Sequence, residues 1–191
     1  MLLCVNVSNS EILLGVYKED KLYFKTSVST SLTRTGQEYA AIFKSVFSLY
    51  NFDCRSITGV IVACVVPSLT AVVKDALEFI YKGKIYIVGP KLKTGLKIKS
   101  ENPSQIGANL ISQSVAITDK YPMPCLLISM GTALSIFALD KNATFIGGAI
   151  LPGIKLGAMA LAQHTAQIPQ TDLHKIPKSV IGAKTVQIVQ S

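Results

Sequence analysis

One stretch of this chain is echoed further along it. Sliding the sequence over itself lays Val5-Asn6-Val7-Ser8-Asn9-Ser10 on Ile128-Ser129-Met130-Gly131-Thr132-Ala133. Each copy is an apolar strand, a short polar turn and a second apolar strand, closed by a polar turn around Lys18 or Lys141. Strand–turn–strand units are common, so the echo alone leaves coincidence open. Read as a duplication, it implies two similar half-structures with a cleft between them.

The periodicities around the echo fit that reading. Residues 2–7, 12–17 and 22–28 read as three strands, broken at Ser8-Asn9-Ser10 and Lys18-Glu19-Asp20, both rich in turn formers. A helix is predicted over 37–50, where Tyr39, Ile42, Phe43, Val46 and Tyr50 share one face and Thr35 with Glu38 form a capping box. The unbroken apolar run 59–66 suits a strand covered on both faces, and Pro67 ends it. A second helix carries Leu69, Val72, Val73, Ala76, Leu77 and Ile80 on one stripe, and 85–88 is a further buried strand. The order βββαβαβ predicts a mixed sheet with helices on its faces. After an amphipathic stretch near 105–120 come strands at 125–129, 135–139 and 144–150, a Gly-rich bend, and a helix over 154–163. The chain then reaches Ser191 inside what reads as another helix, so the second copy is expected to be incomplete, cut short or completed from elsewhere.

Composition narrows the function classes. With 49% hydrophobic and 16% charged residues a core is affordable and global disorder is excluded. The net charge of +8 could attract nucleic acid, anionic lipid or phosphorylated metabolites. The lysines are scattered, however, apart from Lys91, Lys93, Lys97 and Lys99, and that stretch lacks the aromatics of a nucleic-acid module, so it is expected to be a solvated loop. Cys4, Cys54, Cys64 and Cys125 have no metal-ligand spacing and are expected to be buried, reduced thiols of a cytoplasmic protein. The start has no basic segment followed by a long apolar one, and 125–139 is too short to span a bilayer, so neither a signal peptide nor a membrane partner is expected. His164 and His174 read as surface or packing residues.

The turns carry the chemistry. A tight turn of small polar residues offers backbone N–H groups and hydroxyls to a phosphate. Ser8-Asn9-Ser10 and Gly131-Thr132, facing each other, could hold a nucleotide triphosphate; singly, each is also an ordinary hairpin turn. No P-loop and no Rossmann glycine motif is present. Phosphoryl transfer further requires charge neutralisation and a group to position the attacking hydroxyl, which carboxylates supply. The strand ends that would border the cleft hold Asn6 and Ser129 instead.

The order and spacing of a series of short motifs resemble the type III pantothenate kinase family over nearly the whole chain. They are Ser29-Thr30, Arg34-Thr35 with Glu38-Tyr39, Val65-Val66-Pro67-Ser68-Leu69-Thr70, Gly89-Pro90 with Lys93-Thr94-Gly95-Leu96, Asn102-Pro103, and Gly107-Ala108. Further on stand Gly131-Thr132-Ala133, Gly147-Gly148-Ala149-Ile150 with Pro152-Gly153, and Ser179-Val180-Ile181-Gly182 with Thr185. The resemblance implies an α/β fold of the ASKHA (actin/sugar-kinase, RNase H-like) type. Its duplicated βββαβα domains would span 1–115 and 116–191, the second incomplete. It implies ATP-dependent phosphorylation of pantothenate, the first step of coenzyme A biosynthesis, with Mg²⁺ and a monovalent cation (K⁺ or NH₄⁺), in a homodimer or in a heterodimer with a paralogous subunit.

Carried over residue by residue, the resemblance implies ATP contacts at Asn6, Val7, Ser8, Asn9, Ser10, Glu11, Ile12, Leu13 and Thr132. It implies substrate contacts at Ser100, Gly107, Ala108, Asn109, Leu110 and Thr185, the catalytic base position at Asn109, and the monovalent-cation position at Ser129. Several of these depart from the family. The first phosphate motif there begins with Asp, where Asn6 stands; Gly-Ala-Asp-Arg is Gly107-Ala108-Asn109-Leu110; the Asp opening the second phosphate motif is Ser129; and a substrate-contacting Tyr is Ser100. An amide oxygen is a far weaker base than a carboxylate, and groups that act as a unit lose activity together. Three readings follow: a weak or partner-dependent kinase, a non-catalytic partner of an intact paralogue, or a ligand-sensing pseudokinase.

Overall fold

The computed structural model describes residues 1–89, 92–102, 105–177 and 179–190. Pro90, Lys91 and Pro103, noted above, lie outside them. The first sheet has five strands, β1 (Leu2–Val7), β2 (Glu11–Lys18), β3 (Lys21–Ser29), β4 (Gly59–Cys64) and β5 (Ile85–Ile87), in the order β3-β2-β1-β4-β5. β1 pairs antiparallel with β2 and parallel with β4. The crossover between them is α1 (Gly36–Leu49), and α2 (Pro67–Glu78) leads from β4 to β5.

Alternation sets the core. In β1 and β2 every second side chain is buried: Leu3, Val5 and Val7, then Ile12, Leu14 and Val16, each at most 2% exposed. Tyr39, Phe43 and Phe47 of α1 and Leu69, Val73 and Leu77 of α2 pack on that face, and each large apolar side chain so buried contributes about 1.5–3 kcal/mol. The phenol of buried Tyr39 donates to the Ser31 carbonyl at 2.8 Å and accepts the Ser31 N–H at 2.8 Å, so it is satisfied at both ends. Thr35 caps α1 as its spacing predicts. Its hydroxyl accepts the Glu38 N–H, and the Glu38 carboxylate accepts the Thr35 N–H at 2.7 Å. The Thr35 N–H, and then its hydroxyl, donating to the carboxylate hold the Glu38 carboxyl below its ordinary range.

The predicted strand 59–66 stops at Cys64, because Pro67 opens α2 and pulls Val65 and Val66 into the helix entry. The lysine stretch is not all loop: Lys97–Ile98 forms a two-residue strand, β6, parallel to a strand of the second sheet. The amphipathic stretch is α3 (Ala108–Thr118), whose Ala108 and Ile111 form a smaller core with Ala63 and Val88. All four thiols are free but only partly buried, because they stand on the less covered faces or at element ends.

The second sheet is a meander of β7 (Cys125–Met130), β8 (Ala133–Leu139) and β9 (Thr144–Pro152), with β6 outside β9. α4 (Ile154–His164) follows and lies against β8 and β9, and α5 (Thr185–Gln190) ends the described chain. Among the described residues, no helix is long and apolar enough to cross a membrane.

Candidate active site

The two echoed turns meet. Ser10 Oγ and Thr132 Oγ1 are 2.9 Å apart and share a hydrogen bond, although 122 positions separate them. Each turn is held by its own half. In the first, the Ser8 N–H donates to the Glu11 carbonyl at 2.9 Å, and Thr30, just past β3, grips both sides. Its hydroxyl donates to the Ser8 carbonyl at 2.7 Å and its N–H to the Ser10 carbonyl at 3.1 Å. In the second, the Gly153 N–H donates to the Thr132 carbonyl at 3.0 Å. Gly153 must be glycine there, since a Cβ would run into the carbonyl oxygens of Gly131 and Thr132.

Within the first turn, Asn9, Ser10 and Glu11 are exposed and Ser8 is half-buried. Val7 and Ile12 point their side chains into the core. Only their backbones can face a ligand, which corrects any picture of those two side chains as contacts. Asn6 and Leu13 are paired across β1 and β2 and turn the other way, onto the face that α3 approaches.

Gly107 is the N-cap of α3 and accepts the Leu110 N–H at 2.9 Å. A Cβ on Gly107 would lie 3.7 Å from Val65, so this helix start sits beside the end of β4. Asn109, one residue into α3, lines a cavity of about 400 Å³ together with Asn6 and Leu13. Its Oδ1 is buried and has no hydrogen-bond partner. One turn on, Gln113 donates from Nε2 to Ser129 Oγ at 3.1 Å and so ties α3 to β7. Gln113 was missed in the sequence; its spacing of four from Asn109 on a helix was the available signal. Ser100 is exposed, its hydroxyl accepting the Asn102 N–H at 3.3 Å, and Thr185 is exposed at the start of α5. Neither shares a contact with the turns or with Asn109 in the described hydrogen bonds.

Around the two turns and Asn109 the donors and acceptors among the described residues are hydroxyls, amides and backbone groups, with Glu11 at the exposed rim as the one carboxylate and Lys25 at the far side of the cavity. Among the described residues, no group of three His, Cys, Asp or Glu could hold a metal ion. The donor set therefore does not fit a divalent cation held by protein ligands, which calls for carboxylates. It does fit a phosphate, which hydroxyls and turn N–H groups can solvate without a metal.

Comparison with known proteins bears on both fold and family. A type III pantothenate kinase of Brevibacillus brevis is 36% identical over 191 residues, the whole of this chain and 74% of the relative. Among solved structures, a Baf family protein from Campylobacter jejuni superposes with a TM-score of 0.57 at 14% identity, over 98% of this chain and 71% of that one. The activator of 2-hydroxyisocaproyl-CoA dehydratase from Clostridium difficile, solved with bound ADPNP, superposes with a TM-score of 0.51 at 10% identity, over 99% of this chain and 62% of that one. At such identities the superpositions speak to the fold alone, which is a mixed α/β fold of the ASKHA type. With the type III pantothenate kinase profile matching residues 2–191, the chain belongs to the type III pantothenate kinase family.

Proposed function

We propose that this protein binds ATP between its two echoed turns and phosphorylates pantothenate, weakly or only in partnership with another subunit. The observation that carries this reading is the Ser10–Thr132 contact, which brings one phosphate-type turn from each half to a single point. The family supplies the reaction class and substrate. In this reading 1–115 and 116–191 are the two lobes. Ser8, Asn9, Ser10 and Thr132 receive phosphate oxygens, and Asn109 orients the attacking hydroxyl through its free Oδ1 without taking its proton. Mg²⁺ and K⁺ or NH₄⁺ would arrive with the nucleotide, since the described residues offer them no carboxylate cluster. Homodimer or paralogous heterodimer, and the cytoplasm as its place, belong to the same reading.

Restoration tests it. Asn6→Asp, Asn109→Asp, Leu110→Arg and Ser129→Asp are combined and compared with the parent in a coupled assay containing Mg²⁺ and NH₄⁺. A regained base alone is expected to raise turnover by about 10²–10⁴-fold. If neither protein phosphorylates pantothenate and neither is stabilised by ATP in a thermal shift, the kinase reading fails.

The neutral donor set supports a second reading, a non-catalytic partner that shapes the site of an intact paralogue. Co-expression with an active family member is then expected to change that enzyme's stability or KM, and unchanged values in both would remove this reading.

A further inference from the structure

Among the described residues, two bonds between side chains join the second sheet to the part of the chain that precedes it. The outer one, between Ser10 and Thr132, is exposed. The inner one runs from Gln113 Nε2 of α3 to Ser129 Oγ of β7 at 3.1 Å and is partly buried. Shielded from water, it is the stronger constraint of the two. Ser129 stands two residues before Gly131, where the second echoed turn begins, so whatever fixes Ser129 also fixes the approach to that turn.

The backbone anchors this sheet at its other side. β6, from the segment just before α3, pairs with β9, and the Lys99 N–H donates to the Phe145 carbonyl at 2.8 Å. The strand order is β6-β9-β8-β7, so β7 lies at the opposite edge, about 14 Å from β6 at the usual strand spacing. A sheet held along one edge can tilt about it, and the far edge then travels furthest. Gln113 holds that far edge. Its own helix is fixed to the first half, since α3 lies against β4 and Ile111 packs with Ala63 and Val88. Ser129 is the one described partner of the Gln113 amide, whose Oε1 is buried without a bond. A hydroxyl can accept or donate, so the pair survives either orientation of the amide.

We propose that Gln113 is a positioning residue that holds the edge of the second sheet against α3, so that the two echoed turns meet at one point. In this role it touches no substrate. Its effect on ATP rests on the kinase reading; the meeting of the turns does not.

The test reads the proximity of the turns in the full chain. Ser10→Cys and Thr132→Cys are combined, and the equilibrium of the introduced thiol pair with glutathione gives their effective concentration. Peptide mass separates this link from any made by the four native thiols. The two substitutions also remove the outer bond, which leaves the inner one to hold the turns. In this background Gln113→Met keeps the side-chain volume and removes the donor, and Ser129→Ala removes its partner. Each is expected to lower the effective concentration about fivefold, the net worth of a neutral hydrogen bond. Combined, they are expected to lower it no further, since both break the same bond. Gln113→Glu, which accepts the Ser129 hydroxyl proton, is expected to keep the starting value. With Ser10 and Thr132 left in place, Gln113→Met is expected to raise the Kd for ATP by a similar factor.

No link between the introduced thiols, an effective concentration unchanged by both variants, losses that add, or a loss in Gln113→Glu equal to that in Gln113→Met overturns the proposal. A lowered Tm with the effective concentration unchanged also overturns it and leaves Gln113 a packing residue. Absence of ATP binding by the parent counts against the kinase reading alone, and the thiol equilibrium still decides the role of Gln113.

Discussion

Leu3, Val5 and Val7 of the first sheet and their echoes Leu126, Ile128 and Met130 of the second carry the same pattern to opposite fates. The first three are 0–2% exposed beneath α1 and α2; the second three are 69%, 55% and 76% exposed. The strands make similar hairpins: Asn6 faces Leu13 across one, and Ser129 faces Ser135 across the other. The difference lies in what surrounds them. β1 has β4 on its far side and two helices on its face, whereas β7 is the edge of its sheet among the described residues. An alternating apolar pattern therefore establishes that a strand has an apolar face, and says nothing about what covers it.

The largest effect expected from this contrast comes from a charge placed in each face. Val5→Asp buries an unpaired carboxylate and is expected to cost more than about 4 kcal/mol, whereas Ile128→Asp stays within about 0.5 kcal/mol. Urea denaturation of the two variants reads the difference, and equal losses would mean that the second face is covered in solution.

The helices sharpen the comparison. Phe43 of α1 is fully buried and Met159 of α4 is 41% exposed. Phe43→Ala is expected to cost about 3–5 kcal/mol, and Met159→Ala no more than about 0.5 kcal/mol. A large loss in the second variant would place α4 in a core, and a small loss in the first would break the account of α1.

The smallest effect concerns the helix starts. α1 begins with a Thr35–Glu38 capping box, whereas α4 begins at Gly153 with no side-chain cap, because any side chain there strikes the Gly131–Thr132 turn. Thr35→Ala is expected to cost about 1 kcal/mol near neutral pH. The folded Glu38 carboxyl sits below its ordinary value of 4.5 because of the backbone and hydroxyl bonds from Thr35. Its contribution is therefore fully present above that value and lost as pH falls through the lower, folded one. Stability measured against pH should show this acid-side loss in the parent and a weaker one in Thr35→Ala; identical slopes would count against the box.

Much of the site was legible in the sequence because it is local. Each polar turn sits between strands whose alternation fixes where the chain reverses, and the capping box and the Pro67 helix start are settled within four residues. The family resemblance supplied the candidate positions, but not their orientation. It grouped Val7 and Ile12 with Asn6 and Leu13, although strand parity sends the first pair into the core and the second onto the α3 face. Gln113 went unmarked, since its bond to Ser129 depends on which strand stands opposite α3.

The chain alone therefore determined most of the elements, the period of each apolar face, and the neutral residues at the positions where the family resemblance expects acids. These depend on residue type and near-neighbour geometry, which sequence specifies directly. Only the tertiary structure decided that Ser10 and Thr132 touch, that one of two similar faces is buried and the other bare, and that Asn6 and Asn109 line one cavity. Each depends on contacts between residues far apart in the chain, which are set by packing of whole elements and leave no period in the sequence.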